Sequence, residues 1–134
     1  MFSRRTLFVT AIAAGLSLAG VGTVAAQARG GMQAPKGTQR TISGTVVDLS
    51  CRFGQGLSGD SHRMCAQVCA DKGIPLAILG SDGKLYLPTS AAMPGEGQNE
   101  RLKDFAEQQV TVTGLVFPAG GANAIQIASI QRKA

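Results

Sequence analysis

The order of short β-strand patterns limits the folds that this chain can adopt. Apolar and β-branched residues alternate from Thr41 over about eight residues and predict a first strand. Four further strands are predicted at residues 75–79, 84–87, 110–117 and 124–130. Between the third and fourth strands, Asn99 is a predicted N-cap for a short helix, and Leu102, Phe105 and Ala106 share one face of that helix. The predicted order is therefore three strands, one helix and two strands.

This order is the layout of the OB-fold barrel. The segment from Leu102 to Gly114 also looks like the second half of many bacterial OB domains. We therefore predict an all-β domain with small helical content over residues 41–134, a five-stranded OB-fold-like barrel. Closing the sheet would remove the strand edges that an open five-stranded sheet exposes. A small open β-sandwich is the alternative.

A long insertion, Ser50–Gly73, separates the first two predicted strands. Long loops in small domains are usually functional or covalently stapled. The first half of the insertion is rich in glycine, which predicts little regular structure. The second half predicts a helix from about His62 to Lys72, capped by Asp60 or Ser61 and ended by Gly73.

The insertion carries all three cysteines of the chain, Cys51, Cys65 and Cys69. On the predicted helix, His62, Cys65 and Cys69 lie within about 60° of one another. Cys51, where the first strand ends, is the natural fourth member. Three thiolates and one imidazole form a Cys₃His set that suits tetrahedral Zn²⁺ and also Cu(I). The spacing differs from that of standard zinc fingers, so the pattern alone does not name the metal.

Two other interpretations of the cysteines stay open. Cys51 could form a disulfide with a cysteine of the helix, which would staple the domain and leave one thiol over. Alternatively, two of the thiols could perform redox exchange, although the Cys-x-x-Cys motif typical of thioredoxin-like proteins is missing from the sequence. Asp48, a single carboxylate where the first strand ends, is more typical of a cap than of a catalytic group.

The N-terminus has the three parts of an export signal. Arg4 and Arg5 precede a largely apolar run, and Ala26 and Ala28 supply the small residues of a cleavage site. We predict a twin-arginine (Tat) signal peptide at residues 1–28, a flexible tether at residues 29–40 and a periplasmic location. A Sec signal or a membrane anchor is the alternative, but glycines dilute the apolar run, so no stable membrane span is expected after cleavage.

The charge distribution and the motifs of the sequence argue against two classes of function, nucleic-acid binding and catalysis. The formal net charge is +5, and outside the predicted signal peptide the charges are scattered rather than clustered on one face, so no nucleic-acid partner is expected. The sequence has one histidine and neither a phosphate-binding loop nor a nucleophile elbow, so no enzymatic activity is predicted. Under the disulfide interpretation, the domain would be a non-catalytic binding module for another envelope protein or a small ligand.

Residues 41–87 resemble a family of small exported bacterial OB-fold proteins. The resemblance rests on Gly44-Thr-Val-Val-Asp-Leu-Ser-Cys51, on His62-Arg-Met-Cys-Ala-Gln-Val-Cys-Ala70 and on Gly73-Ile-Pro75. It implies the barrel fold, export and a common role for Cys51, His62, Cys65 and Cys69. It implies no particular activity.

Overall fold

The computed structural model describes residues 36–134. The predicted signal peptide, with Arg4, Arg5, Ala26 and Ala28, and most of the predicted tether lie outside these residues. The five strands are β1 (Thr38–Asp48), β2 (Leu76–Gly80), β3 (Leu85–Pro88), β4 (Gln109–Ala119) and β5 (Ala122–Arg132). The three short helices are α1 (Leu49–Gln55), α2 (Arg63–Asp71) and α3 (Asn99–Leu102), and Asp60–His62 and Lys103–Phe105 form 3-10 turns.

The strands form a closed barrel in the order β1-β2-β3-β5-β4. All neighbours are antiparallel except β3 and β5, which are parallel. Because β1 pairs with both β2 and β4, the sheet closes on itself and the open sandwich is excluded. The five-stranded OB-fold-like barrel is confirmed, with α1 and α2 inserted between β1 and β2 and with α3 between β3 and β4.

The alternation in β1 directs one face of the strand into the barrel. Ile42, Gly44, Val46 and Asp48 are all buried, as the pattern predicts. Val47, on the opposite face, is also fully buried. The barrel interior is a single cluster of apolar side chains, among them Ile78, Tyr86, Leu102, Val110, Val112 and Ile125. β1 begins at Thr38, three residues before the predicted start, because residues 38–40 continue its ladder with β4.

Gly114 lies where β4 and β5 leave no room for a side chain. The pairing of β4 with β5 shifts between Thr113 and Gly114, which is a β-bulge. A Cβ atom added at Gly114 would collide with the backbone carbonyl of Gln126. Glycine is therefore required here for space rather than for flexibility.

The insertion is more regular than its composition predicts. Residues 49–55 form α1, where little regular structure was expected, and Gly56 ends this helix with a φ of 68°. The predicted caps of the second helix are also wrong: neither Asp60 nor Ser61 caps α2, which follows a 3-10 turn directly. No helix within residues 36–134 is long and apolar enough to cross a membrane.

Candidate metal site

Asp48 fixes the first element of the site. It is the last residue of β1, and its side-chain Oδ1 accepts a hydrogen bond from the backbone N–H of Cys51 at 2.7 Å. A carboxylate at this position satisfies one of the free N–H groups at a helix start, so α1 begins directly where β1 ends. The predicted capping role of Asp48 is confirmed. Cys51, in the first turn of α1, is thereby held against the barrel and is buried.

The second element is α2, which carries Cys65 and Cys69. Its small residues Ala66 and Ala70 are buried, which lets the helix lie close to the barrel. The C-terminal end of α2 is fastened by Asn99, whose side-chain amide donates to the carbonyls of Ala70 (2.9 Å) and Ile74 (2.8 Å). Asn99 was predicted as a helix N-cap, and that prediction is wrong.

The three thiols converge although they come from two different helices. The sulfur atoms of Cys51, Cys65 and Cys69 all lie within 4.8 Å of one another. Thiolates that share one metal ion lie about 3.8 to 4.0 Å apart, because a metal–sulfur bond is about 2.3 Å long. The spacing in the structure is therefore close to that of a loaded site. All three cysteines are free thiols in this structure.

His62 faces Asp48. Its Nε2 lies 2.9 Å from Asp48 Oδ2, and both side chains are almost completely buried. Asp48, Cys51 and His62 form a second group whose possible ligand atoms lie within 4.8 Å of one another. The four residues proposed from the sequence therefore do not form one group at this distance. Instead Cys51 belongs to both groups, with Cys65 and Cys69 on one side and the Asp48–His62 pair on the other.

Glu107 fixes the loop that carries His62. The sequence patterns did not predict this role. Its carboxylate Oε2 accepts a hydrogen bond from the backbone N–H of Gly59 at 2.8 Å, and the carbonyl of Gly59 accepts from the backbone N–H of His62 at 2.9 Å. Glu107 is buried and has a φ of 59°, a conformation that residues other than glycine rarely adopt. Nothing in the local pattern before β4 distinguishes this glutamate, because its partner lies in a distant loop.

The surroundings keep Cys51 protonated in the metal-free protein. Burial, and next the negative charge of Asp48, raise the pKa of the Cys51 thiol to about 12. The pKa of Cys69 is also raised, mainly by burial, although a hydrogen bond from Cys51 opposes the change. Burial raises the pKa of Asp48 as well, but hydrogen bonds from Cys51 and His62 outweigh it, and the net pKa is lowered. A cation that binds these thiols must therefore displace protons.

The geometry is compatible with metal binding. Comparison of the chain with protein-family models, with curated proteins and with solved structures found no match. The function is therefore argued from the site itself.

Proposed function

We propose that this protein is an exported domain that binds one soft metal ion through Cys51, Cys65 and Cys69. The convergence of three thiol sulfurs within 4.8 Å carries the proposal. Soft thiolate ligands select Cu(I) and zinc over harder cations such as Mg²⁺ and Ca²⁺. The three residues would bind as thiolates and release their protons.

Asp48 and His62 already bind each other, so neither is a free fourth ligand for a metal ion. This favours Cu(I) over zinc. Three thiolates can complete a trigonal Cu(I) site, whereas structural zinc requires a fourth ligand. Both oxygens of Asp48 accept hydrogen bonds, from Cys51 N–H and from His62. His62 would complete the predicted Cys₃His set only through Nδ1, with Asp48 orienting the ring through Nε2, as carboxylates do for many metal-bound histidines.

The need for reduced thiols would explain why this protein uses the predicted Tat export route. Thiols stay reduced in the cytoplasm, whereas exported cysteines are normally oxidised to disulfides. Tat signals are typical of proteins that fold before transport, and folding in the cytoplasm would let the three thiols bind metal while reduced. We therefore propose a periplasmic, non-catalytic protein that serves metal handling or uses the ion as a structural staple.

The test is the metal and thiol content of the exported protein. The full chain is purified from the periplasm without chelators and analysed by native mass spectrometry, elemental analysis and thiol titration. We expect one copper or zinc ion per chain. Cys65→Ser should weaken retention of the ion strongly, whereas Met64→Leu, a change of a neighbouring exposed sulfur residue, should not. A metal-free protein with two oxidised cysteines would overturn the proposal.

A disulfide-stapled binding module is the second candidate, because Cys51 and Cys69 come from different helices and their sulfurs lie within 4.8 Å of each other. It predicts one titratable thiol in the denatured, unreduced protein and a thermal midpoint unaffected by EDTA. Its partner would be another envelope protein or a small ligand.

A further inference from the structure

The three thiols differ in their access to solvent. Cys51 is buried, with 6% of its surface exposed, Cys69 is partly exposed, and Cys65 is exposed. The side chains beside Cys65 on the outer side of α2, Met64 and Val68, are 77% and 48% exposed. Among residues 36–134, nothing covers this side of the thiol group. An incoming molecule would therefore meet the Cys65 sulfur first.

The two inner thiols are held differently from Cys65. The backbone N–H of Cys51 donates a hydrogen bond to Asp48, and Cys51 is buried. Cys69 is only partly exposed, and its sulfur lies within 4.8 Å of those of Cys51 and Cys65. Departure of the Cys51 sulfur from a metal would leave a buried charged group without its partner, which is costly, and departure of the partly exposed Cys69 sulfur would carry part of that cost. Departure of Cys65 would place its sulfur in water.

We propose that Cys65 is the exchangeable ligand, at which an external thiol takes over the metal ion. This inference rests on the proposed function and deepens it, because it assigns the site to metal transfer rather than to permanent stapling. The ligand class is a thiol, whose sulfur is as soft as the cysteines it replaces. The thiol could belong to a small molecule or to a cysteine of another protein.

The exchange is a substitution without electron transfer. The sulfur of the incoming thiol forms a bond to Cu(I), and the bond from Cu(I) to the Cys65 sulfur breaks. The proton given up by the incoming thiol passes, through water, to the Cys65 thiolate. Copper stays Cu(I) throughout, and Cys51 and Cys69 hold it until the second external bond forms.

The order in which the thiols are released tests the proposal. The full chain is loaded anaerobically with one equivalent of Cu(I) and mixed with glutathione or with a synthetic peptide that carries Cys-x-x-Cys. Samples are quenched with N-ethylmaleimide at increasing times, and the labelled cysteine is mapped by peptide mass spectrometry. We expect label at Cys65 first, while copper is still bound, and label at Cys51 and Cys69 only as copper leaves. Simultaneous labelling, or an inner cysteine labelled first, would overturn the inference.

Variants provide an independent measurement. In Cys65→Ser the exposed position is already vacant, so we expect copper transfer to the thiol to be at least about tenfold faster than in the wild type. Met64→Leu is the matched control and should transfer at the wild-type rate. An unchanged rate in Cys65→Ser would contradict the role of Cys65 in transfer.

The two thiol reagents distinguish the source of the ligand. Faster transfer to the peptide indicates a protein acceptor, and equal or faster transfer to glutathione indicates a small thiol. Copper that reaches neither reagent would overturn the transfer role. Failure of the wild type to bind either Cu(I) or Zn²⁺ would instead contradict the proposed function itself.

Discussion

Replacement of Asp48 by alanine should destabilise the domain more than any exposed substitution in the insertion. Its carboxylate is fully buried and accepts two hydrogen bonds, one from Cys51 N–H at 2.7 Å and one from His62 Nε2 at 2.9 Å. Loss of the helix cap costs about 1 kcal/mol. A buried imidazole left without its partner costs about 1–3 kcal/mol more. We expect a loss of about 2–4 kcal/mol in the free energy of unfolding.

Urea unfolding followed by circular dichroism measures this loss. Dithiothreitol and a chelator are present, so that neither a disulfide nor a metal ion contributes. For a domain of this size, each kcal/mol lowers the thermal midpoint by roughly 4–8 °C. The midpoint of Asp48→Ala should therefore fall by about 8 °C or more.

Two further variants test whether the loss of stability in Asp48→Ala comes from the contacts of the Asp48 carboxylate. Asp48→Asn keeps an oxygen that can accept from Cys51 N–H, so it should retain the cap and lose only part of the stability. Asp60→Ala removes an exposed carboxylate whose ion pair with Arg63 lies in solvent, and its midpoint should hardly change. If Asp48→Ala were as stable as Asp60→Ala, Asp48 would not hold α1 and His62 on the barrel as described.

Three other predictions concern the barrel and its contacts. The pKa of Asp82 is lowered mainly by the hydroxyl of Tyr86, which donates a hydrogen bond to its carboxylate at 2.7 Å. The stability that this hydrogen bond adds to the folded protein is complete above about pH 4, and it is lost as the pH falls through the lowered pKa. Tyr86→Phe should raise the Asp82 pKa measured by carbon NMR and reduce the loss of stability in acid; an unchanged pKa would refute the assignment. Gly114→Ala should cost about 1–3 kcal/mol in urea unfolding because of its collision with the facing strand, whereas Gly54→Ala, where the new Cβ meets nothing within 4 Å, should be neutral or stabilising. Asn99→Ala should cost about 1–3 kcal/mol because it leaves two carbonyls at the end of α2 without their donor, and a loss no greater than that of Gln98→Ala would argue against this anchoring role.

The barrel could be predicted from the sequence because its strands carry their own signals. The alternation around Ile42 and Val46 marks the inner face of β1, and glycines mark the turn between β4 and β5. The predicted starts and ends of the strands were less accurate, because the hydrogen bonds between strands continue beyond the apolar pattern. β1, for example, extends back to Thr38, which pairs with Val116.

The site was only partly predictable. Helical spacing placed Cys65 and Cys69 on one face, and the end of the first strand placed Cys51 nearby. The partner of His62 could not be predicted, because His62 ends a 3-10 turn, in which successive residues rotate by about 120° rather than 100°. The roles of Asn99 and Glu107 depend on contacts between distant segments, which no local pattern contains.

The unequal lengths of the strand ladders have a consequence for hydrogen exchange. β1 pairs with β4 from Thr38 to Thr45, and β4 pairs with β5 from Val110 to Ala119, whereas β3 shares only short ladders with β2 and β5. Amide protons of β3 should therefore exchange through local opening, and those of β1 and β4 only through global unfolding. Cys51 follows β1 directly and belongs to the part that opens last, while α2 leads into β2 beside the part that opens first. In the metal-free protein, brief openings of the barrel would thus loosen α2 before α1.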